Sequence, residues 1–261
     1  MGFNAREWVG MLVAVLFCGN PAAGLAGDQD SQIIVLMINT AAVREPVLRS
    51  AETNAARIFR AAGIDIVWVN CGGRESPVDN ECGRVLSSNE FVVHIVPSGK
   101  TSSDLVFGVA FLGEDGKGKY ANIFFDRVQE AHRELGAEIS GLVGMVAAHE
   151  LGHLLLGFHA HSCAGIMTAV WKESVVSQMQ MGSLWFTHEQ ALRMRARIDE
   201  GRRMLVRLRG VDGKPPSGQP PGERRYVYGR YVCGATFEGI QPSGACGLLA
   251  AEDGASLRRL R

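Results

Sequence analysis

The segment AAHELGHLLLGFHAHSCAGIM, Ala147–Met167, carries four of the chain's seven histidines. His149 and His153 are four residues apart, so on a helix both imidazoles project from one face toward a single point. Glu150 stands beside the first of them, off to the side of the pair. Two nitrogen ligands at about 2.0 to 2.1 Å, with a carboxylate outside the coordination sphere, are the donor set of a zinc site that activates water. Zinc lowers the pKa of such water toward about 7 and polarises a carbonyl. Glu150 is the candidate general base and the carrier of the proton to a leaving amine. A catalytic site also needs a third protein ligand and one open position, and His159 and His161 follow at once.

Around this segment the chain alternates strands and helices. Upstream, GLVGMVAAHELGHLLL reads as the helix that carries the motif, with Ser140 as its cap and Gly157 placed to end it in the left-handed conformation that other residues avoid. QIIVLMI has the β-branched apolar character of a buried strand, VREPVLRSAETNAARIFRAAG has helical apolar spacing up to Gly63, and IDIVWVN is a second strand. That order predicts a parallel pair joined by a helical crossover. EFVVHIV reads as a third strand. LVFGVAFL and ANIFFDRV flank the turn-forming GEDGKGKY and belong at or near a sheet edge. A second helix starts at Thr187, whose capping box with Gln190 precedes ALRMRARIDEGRRMLVRL. The expected class is α/β (α+β).

HELGH, then HS, then GIM make the chain resemble the metzincin class of zinc peptidases, and within it the matrixin-like branch, whose pattern is H-E-x-x-H-x-x-G-x-x-H followed by a methionine-containing turn. The resemblance covers Asp104–Met167, with the Thr187 helix as the closing element. It implies a mixed twisted sheet with an active-site helix and a C-terminal helix, one catalytic Zn2+, Met167 as an apolar floor beneath the metal, and peptide-bond hydrolysis. It also implies that GVAFLGEDGKGKYANIFFD lines a cleft where an extended polypeptide adds itself to the sheet edge. The spacing departs from the pattern, because the family's glycine falls on Leu156 and Gly157 comes one residue late. Counting from His149 makes His159 the third ligand, whereas matching HS and GIM makes it His161. In an extended chain the two side chains point the same way, roughly 7 Å apart, so one ion takes one of them. His161 is the preferred reading, because a helix longer by one residue displaces the returning chain, but the choice stays open. A third ligand from Glu173, as in the thermolysin-like arrangement, is a further alternative.

The 261 residues suit one well-buried domain with appendages, and 27 basic against 27 acidic side chains exclude a global field directed at nucleic acid. Residues 1–26 read as an export signal: Arg6, the apolar WVGMLVAVLFC, then the small residues of PAAGLAG. The mature protein is expected to be secreted or periplasmic, with no stable membrane insertion and no later segment long enough to span a bilayer. Residues 27–210 form the expected zinc peptidase domain, 211–222 (with GKPPSGQPPG) a linker, and 223–261 a small cysteine-containing tail. Local disulfides are expected between Cys71 and Cys82 and between Cys233 and Cys246, which leaves Cys163 as the odd thiol, read as a small buried residue or as one that pairs with an unexpected partner. His188, His94 and His132 read as a solvated helix start, a strand residue and a surface residue, and Asp126 as a strand-end turn or cap. The alternative to an exported endopeptidase is a non-catalytic module stapled by zinc, with His159 and His161 both closing the coordination sphere.

Overall fold

A computed structural model describes residues 31–71, 82, 85–99, 106–211 and 236–237. In chain order the elements are β1 (Ser31–Asn39), α1 (Glu45–Ala61), β2 (Ile64–Cys71), β3 (Glu90–Val96), β4 (Gly108–Leu112), β5 (Gly118–Phe124), α2 (Phe125–Leu135), α3 (Ile139–Leu156), β6 (Val170–Trp171), α4 (Glu173–Gln180), α5 (His188–Val211) and β7 (Thr236–Phe237). The first five strands make one sheet in the order β2-β1-β3-β5-β4. β1 pairs in parallel with both β2 and β3, and β3 pairs in parallel with β5. β4 alone runs antiparallel and forms one edge of the sheet. The expected α/β class, the parallel first pair and the edge position of GVAFL are therefore all observed.

Period-two alternation sends Ile33, Val35 and Met37 of β1, Phe91, Val93 and Ile95 of β3, and Ala121 and Ile123 of β5 into one core. α1 contributes Leu48, Ala51, Ala55, Ile58 and Phe59 to the same core. Burial of each larger apolar side chain contributes about 1.5 to 3 kcal/mol. α3 lies in the middle of the molecule, buried continuously from Leu142 to Leu156. A Cβ at Gly144 would come within 2.6 Å of the Ala51 carbonyl oxygen, so glycine there lets α1 and α3 approach backbone to side. α5 is tied to the base of the sheet, where Arg195 Nη1 donates to the Ala62 carbonyl (2.7 Å) and Asn89 Nδ2 to the Ile198 carbonyl (3.2 Å).

Several expectations are corrected. The strand expected over ANIFFDRV ends at Phe124, and Phe125 opens α2, so that DRV is helical; an unbroken apolar run hides a boundary at which only Val128 and Ala131 of the new helix are buried. Asp126 thus sits in a first helical turn, where it accepts a hydrogen bond from the Arg127 amide at 2.9 Å. α4 is also additional, too short for a periodic signal. Ser140 does not cap α3: the helix already begins at Ile139, with Glu138 at the cap position and no side-chain capping bond. Gly157 does end the helix, but at φ 76° and ψ −151°, outside the left-handed helical region expected of it, and a Cβ there would meet the Gly116 carbonyl oxygen at 2.9 Å. α3 is long and apolar enough to cross a membrane, contrary to the expectation for the mature chain, but 83% of it is buried inside the protein, so it serves as a core helix.

Cys71 and Cys82 are disulfide-bonded, as the short separation suggested. Cys163 is not a free thiol: it too is in a disulfide, to a partner outside the described residues. The expected Cys233–Cys246 pair, the export signal and the linker also fall outside the described residues. Of the tail, Thr236–Phe237 pairs in parallel with β6.

Candidate metal centre

α3 carries its polar residues into a dry interior. His149, Glu150 and His153 are each 0% exposed. A buried imidazole needs partners for its ring nitrogens, and His149 Nδ1 lies 2.8 Å from the Ile166 carbonyl oxygen. A carbonyl can only accept, so Nδ1 carries the proton and Nε2 presents a lone pair. That lone pair faces His153 Nε2 at 3.1 Å. Two ligand atoms held tetrahedrally on one zinc ion would be about 3.3 Å apart. His161 completes the cluster from the loop after α3, its ring centroid 4.7 Å from that of His153 and 5.5 Å from that of His149. Donor nitrogens of these three residues all lie within 4.8 Å of one another, so the group can hold a metal ion.

The electrostatics match. Burial pushes His149 down to about 3, with the Ile166 carbonyl partly offsetting it and His161 adding to it. Burial, then the neighbouring His149 and His161, hold His153 well below the ordinary histidine range. Burial also lowers His161, the solvent-facing member. All three are therefore neutral near pH 7, the form in which imidazole binds a cation. Both carboxyl oxygens of Glu150, and Nδ1 of His153, are buried with no hydrogen-bond partner. Burial raises Glu150 well above the ordinary carboxylate range. An uncharged donor set beside an orphaned carboxyl group fits a divalent cation with water beside it.

No family model and no curated protein matches the chain. Among solved structures the fold is similar to archaemetzincin from Methanopyrus kandleri. The TM-score is 0.43 at 15% identity, over 66% of this chain and 98% of that one.

The remaining candidates fall into place around the three histidines. His159 is exposed, at φ 58°, and is not in the histidine group. The four-nitrogen arrangement with both His159 and His161 does not occur among the described residues. Glu173 is exposed at the start of α4 and is likewise outside the group. Met167 is fully buried, and a Cβ on Gly152 would strike its Sδ at 2.5 Å, so the methionine packs directly beneath the helix between His149 and His153. Trp171 is buried too, its ring edge-on to His149 (5.6 Å) and stacked on Phe107 (5.4 Å). His188 is exposed; His94 bonds Thr40 Oγ1 at 2.8 Å, and His132 Nδ1 lies 2.7 Å from the Ala137 carbonyl oxygen.

Two residues beside the histidines carry no signal of it in the sequence, and a third carries only half of one. Gly108, on edge strand β4, leaves the space that Glu150 fills: a Cβ there would come within 2.9 Å of Glu150 Cγ and Oε1. Ile166 acts only through its carbonyl, which no side-chain signal reveals. Gln190 was legible as half of a capping box, but the far side of its amide was not.

Proposed function

We propose that the protein is a zinc-dependent endopeptidase in which His149, His153 and His161 hold the ion, Glu150 is the general base and Met167 is the floor of the site. The observation that carries this reading is the convergence of three neutral imidazoles beside a buried carboxyl group with no partner of its own. When bound, zinc supplies Lewis acidity, polarising a carbonyl and lowering the pKa of water. The protein's part is to hold and orient. The Ile166 carbonyl fixes the His149 ring with Nε2 toward the other histidines, the kind of support that raises ligand basicity. Glu150 is kept dry by β4, and its burial makes it a stronger base than a solvated carboxylate once a nearby cation restores its charge. It takes the proton of the attacking water and delivers it to the departing amine. β4 is the antiparallel edge of the sheet and its Gly108 touches Glu150, so a polypeptide paired there would run past the base.

The sequence likeness to metzincins supports a peptide substrate, and the Cys71–Cys82 and Cys163 disulfides support an exported protein in an oxidising compartment. The test is metal content and cleavage of an unstructured casein-like substrate by the full chain. The expected result is one zinc per chain, activity abolished by a chelator and restored by zinc, and Glu150→Gln that keeps the metal and loses activity by about 10²- to 10⁴-fold. Full activity in metal-depleted protein would refute the reading.

A further inference from the structure

We propose that Gln190 is a positioning residue for the metal centre, clamping the loop that presents His161; this deepens the zinc reading above and rests on it. Gln190 lies in the first turn of α5, 30 residues from the loop it holds, and is only 5% exposed. Its Oε1 accepts the Thr187 amide N–H at 2.9 Å, while Thr187 Oγ1 accepts the Gln190 amide N–H at 3.3 Å. That reciprocal pair is an ordinary capping box. The other half of the amide serves no helical purpose. Nε2 donates to the Ala160 carbonyl and to Ser162 Oγ, each at 3.1 Å, the two residues flanking His161. Ser162 Oγ in turn donates to the Ala164 carbonyl at 2.7 Å, and the Ser162 amide to the Met167 carbonyl at 2.9 Å.

The start of the same loop is held from α5 as well, by Arg193 Nη2 on the Leu156 carbonyl at 3.2 Å. His161 needs such support more than its partners do. His149 and His153 are carried by a buried helix, whereas His161 stands on irregular chain, two residues beyond a positive-φ His159 and facing solvent. A ligand on unsupported chain loses conformational freedom when it binds an ion; the clamp removes that freedom beforehand.

The two halves of the amide can be separated. Glutamate keeps the capping acceptor and is itself favoured at this capping-box position, but it has no N–H to donate and sets a carboxylate oxygen against the Ala160 carbonyl. The experiment measures zinc affinity of the full chain by competition with a chromophoric chelator, and the thermal midpoint of the metal-free protein. The variants are Gln190→Glu, Thr187→Ala, Ser162→Ala, His161→Ala and the double variant of Gln190→Glu with His161→Ala. Gln190→Glu is expected to weaken zinc binding tenfold or more, in the range of lost outer hydrogen-bond partners, about 10- to 100-fold. Thr187→Ala should lower the midpoint and leave the affinity within about twofold. In the His161→Ala background Gln190→Glu should add no more than about twofold, because its effect passes through that ligand.

Wild-type affinity in Gln190→Glu, or losses that multiply in the double variant, would overturn the inference while leaving the zinc reading intact. If Gln190→Glu does not fold, Ser162→Ala decides: it removes one acceptor of the Gln190 amide together with the serine's own bond to the Ala164 carbonyl and should weaken binding several-fold, and an unchanged affinity overturns the clamp. Wild-type protein that takes up no zinc sinks both readings.

Discussion

Glu150→Gln tests the physics of the site without any metal. In the folded protein the Glu150 carboxyl group is 0% exposed and neither oxygen has a partner. Burial raises its pKa well above the ordinary value of 4.5, so the folded state keeps a proton that the unfolded state releases above that pH. The folded form then binds more protons, and stability falls as pH rises from 4.5 until the folded pKa is passed. The limiting slope for one proton is about 1.4 kcal/mol per pH unit. Glutamine has nearly the same shape and does not titrate. The stability difference between Glu150→Gln and wild type, both metal-free, is therefore expected to grow from about pH 5 toward about pH 8 in favour of the variant. Over that range the limiting slope sets a ceiling of about 4 kcal/mol on the gain. The histidines titrate in both proteins and cancel in the difference. Urea unfolding across the pH series measures it. Added zinc should flatten the wild-type slope, because a nearby cation favours the ionised carboxylate. A difference that does not change with pH in the metal-free proteins would show that the carboxyl group is solvated or partnered, and the argument for an orphaned base would fail.

Further consequences can be checked together. His161→Ala should weaken zinc binding and activity in parallel, whereas His159→Ala should leave zinc stoichiometry at one; loss of the metal in the His159 variant, measured by elemental analysis, would reverse the assignment. Gly152→Ala brings a Cβ within 2.5 Å of Met167 Sδ and 2.9 Å of Phe186 Cε1. Overpacking there should cost about 1 to 3 kcal/mol, despite a gain of up to about 1 kcal/mol in helix propensity, as read from the urea midpoint of the metal-free protein. Acid should act through the histidines. His149 is held down to about 3 against 6.5, so the unfolded chain binds more protons in that window and stability is lost as pH falls from 6.5 toward 3. In metal-free Glu150→Gln, where the carboxyl no longer offsets this, the unfolding midpoint should fall steadily below about pH 6.5; an unchanged midpoint down to pH 4 would count against buried neutral imidazoles.

The linear sequence determined the elements whose physics is local. β-branched runs made β1, β2 and β3 legible, the apolar spacing of α1 predicted its crossover, and a reciprocal Thr187–Gln190 pair located the start of α5. A four-residue step put His149 and His153 on one helical face because helix geometry requires it. Sequence could not choose between His159 and His161, since both follow Gly157 on irregular chain whose path depends on distant partners. Only the tertiary structure decides which imidazole meets the other two: the loop is held by Gln190 and Arg193 from an element 30 residues on, and His161 is the one brought to them. The same holds for Gly108, whose missing side chain matters only because Glu150 packs against it, and for Ile166, whose contribution is a backbone oxygen. Cys163 makes the point a third time, since a disulfide depends on which sulfurs meet in space, and its sequence neighbours carry no record of that meeting.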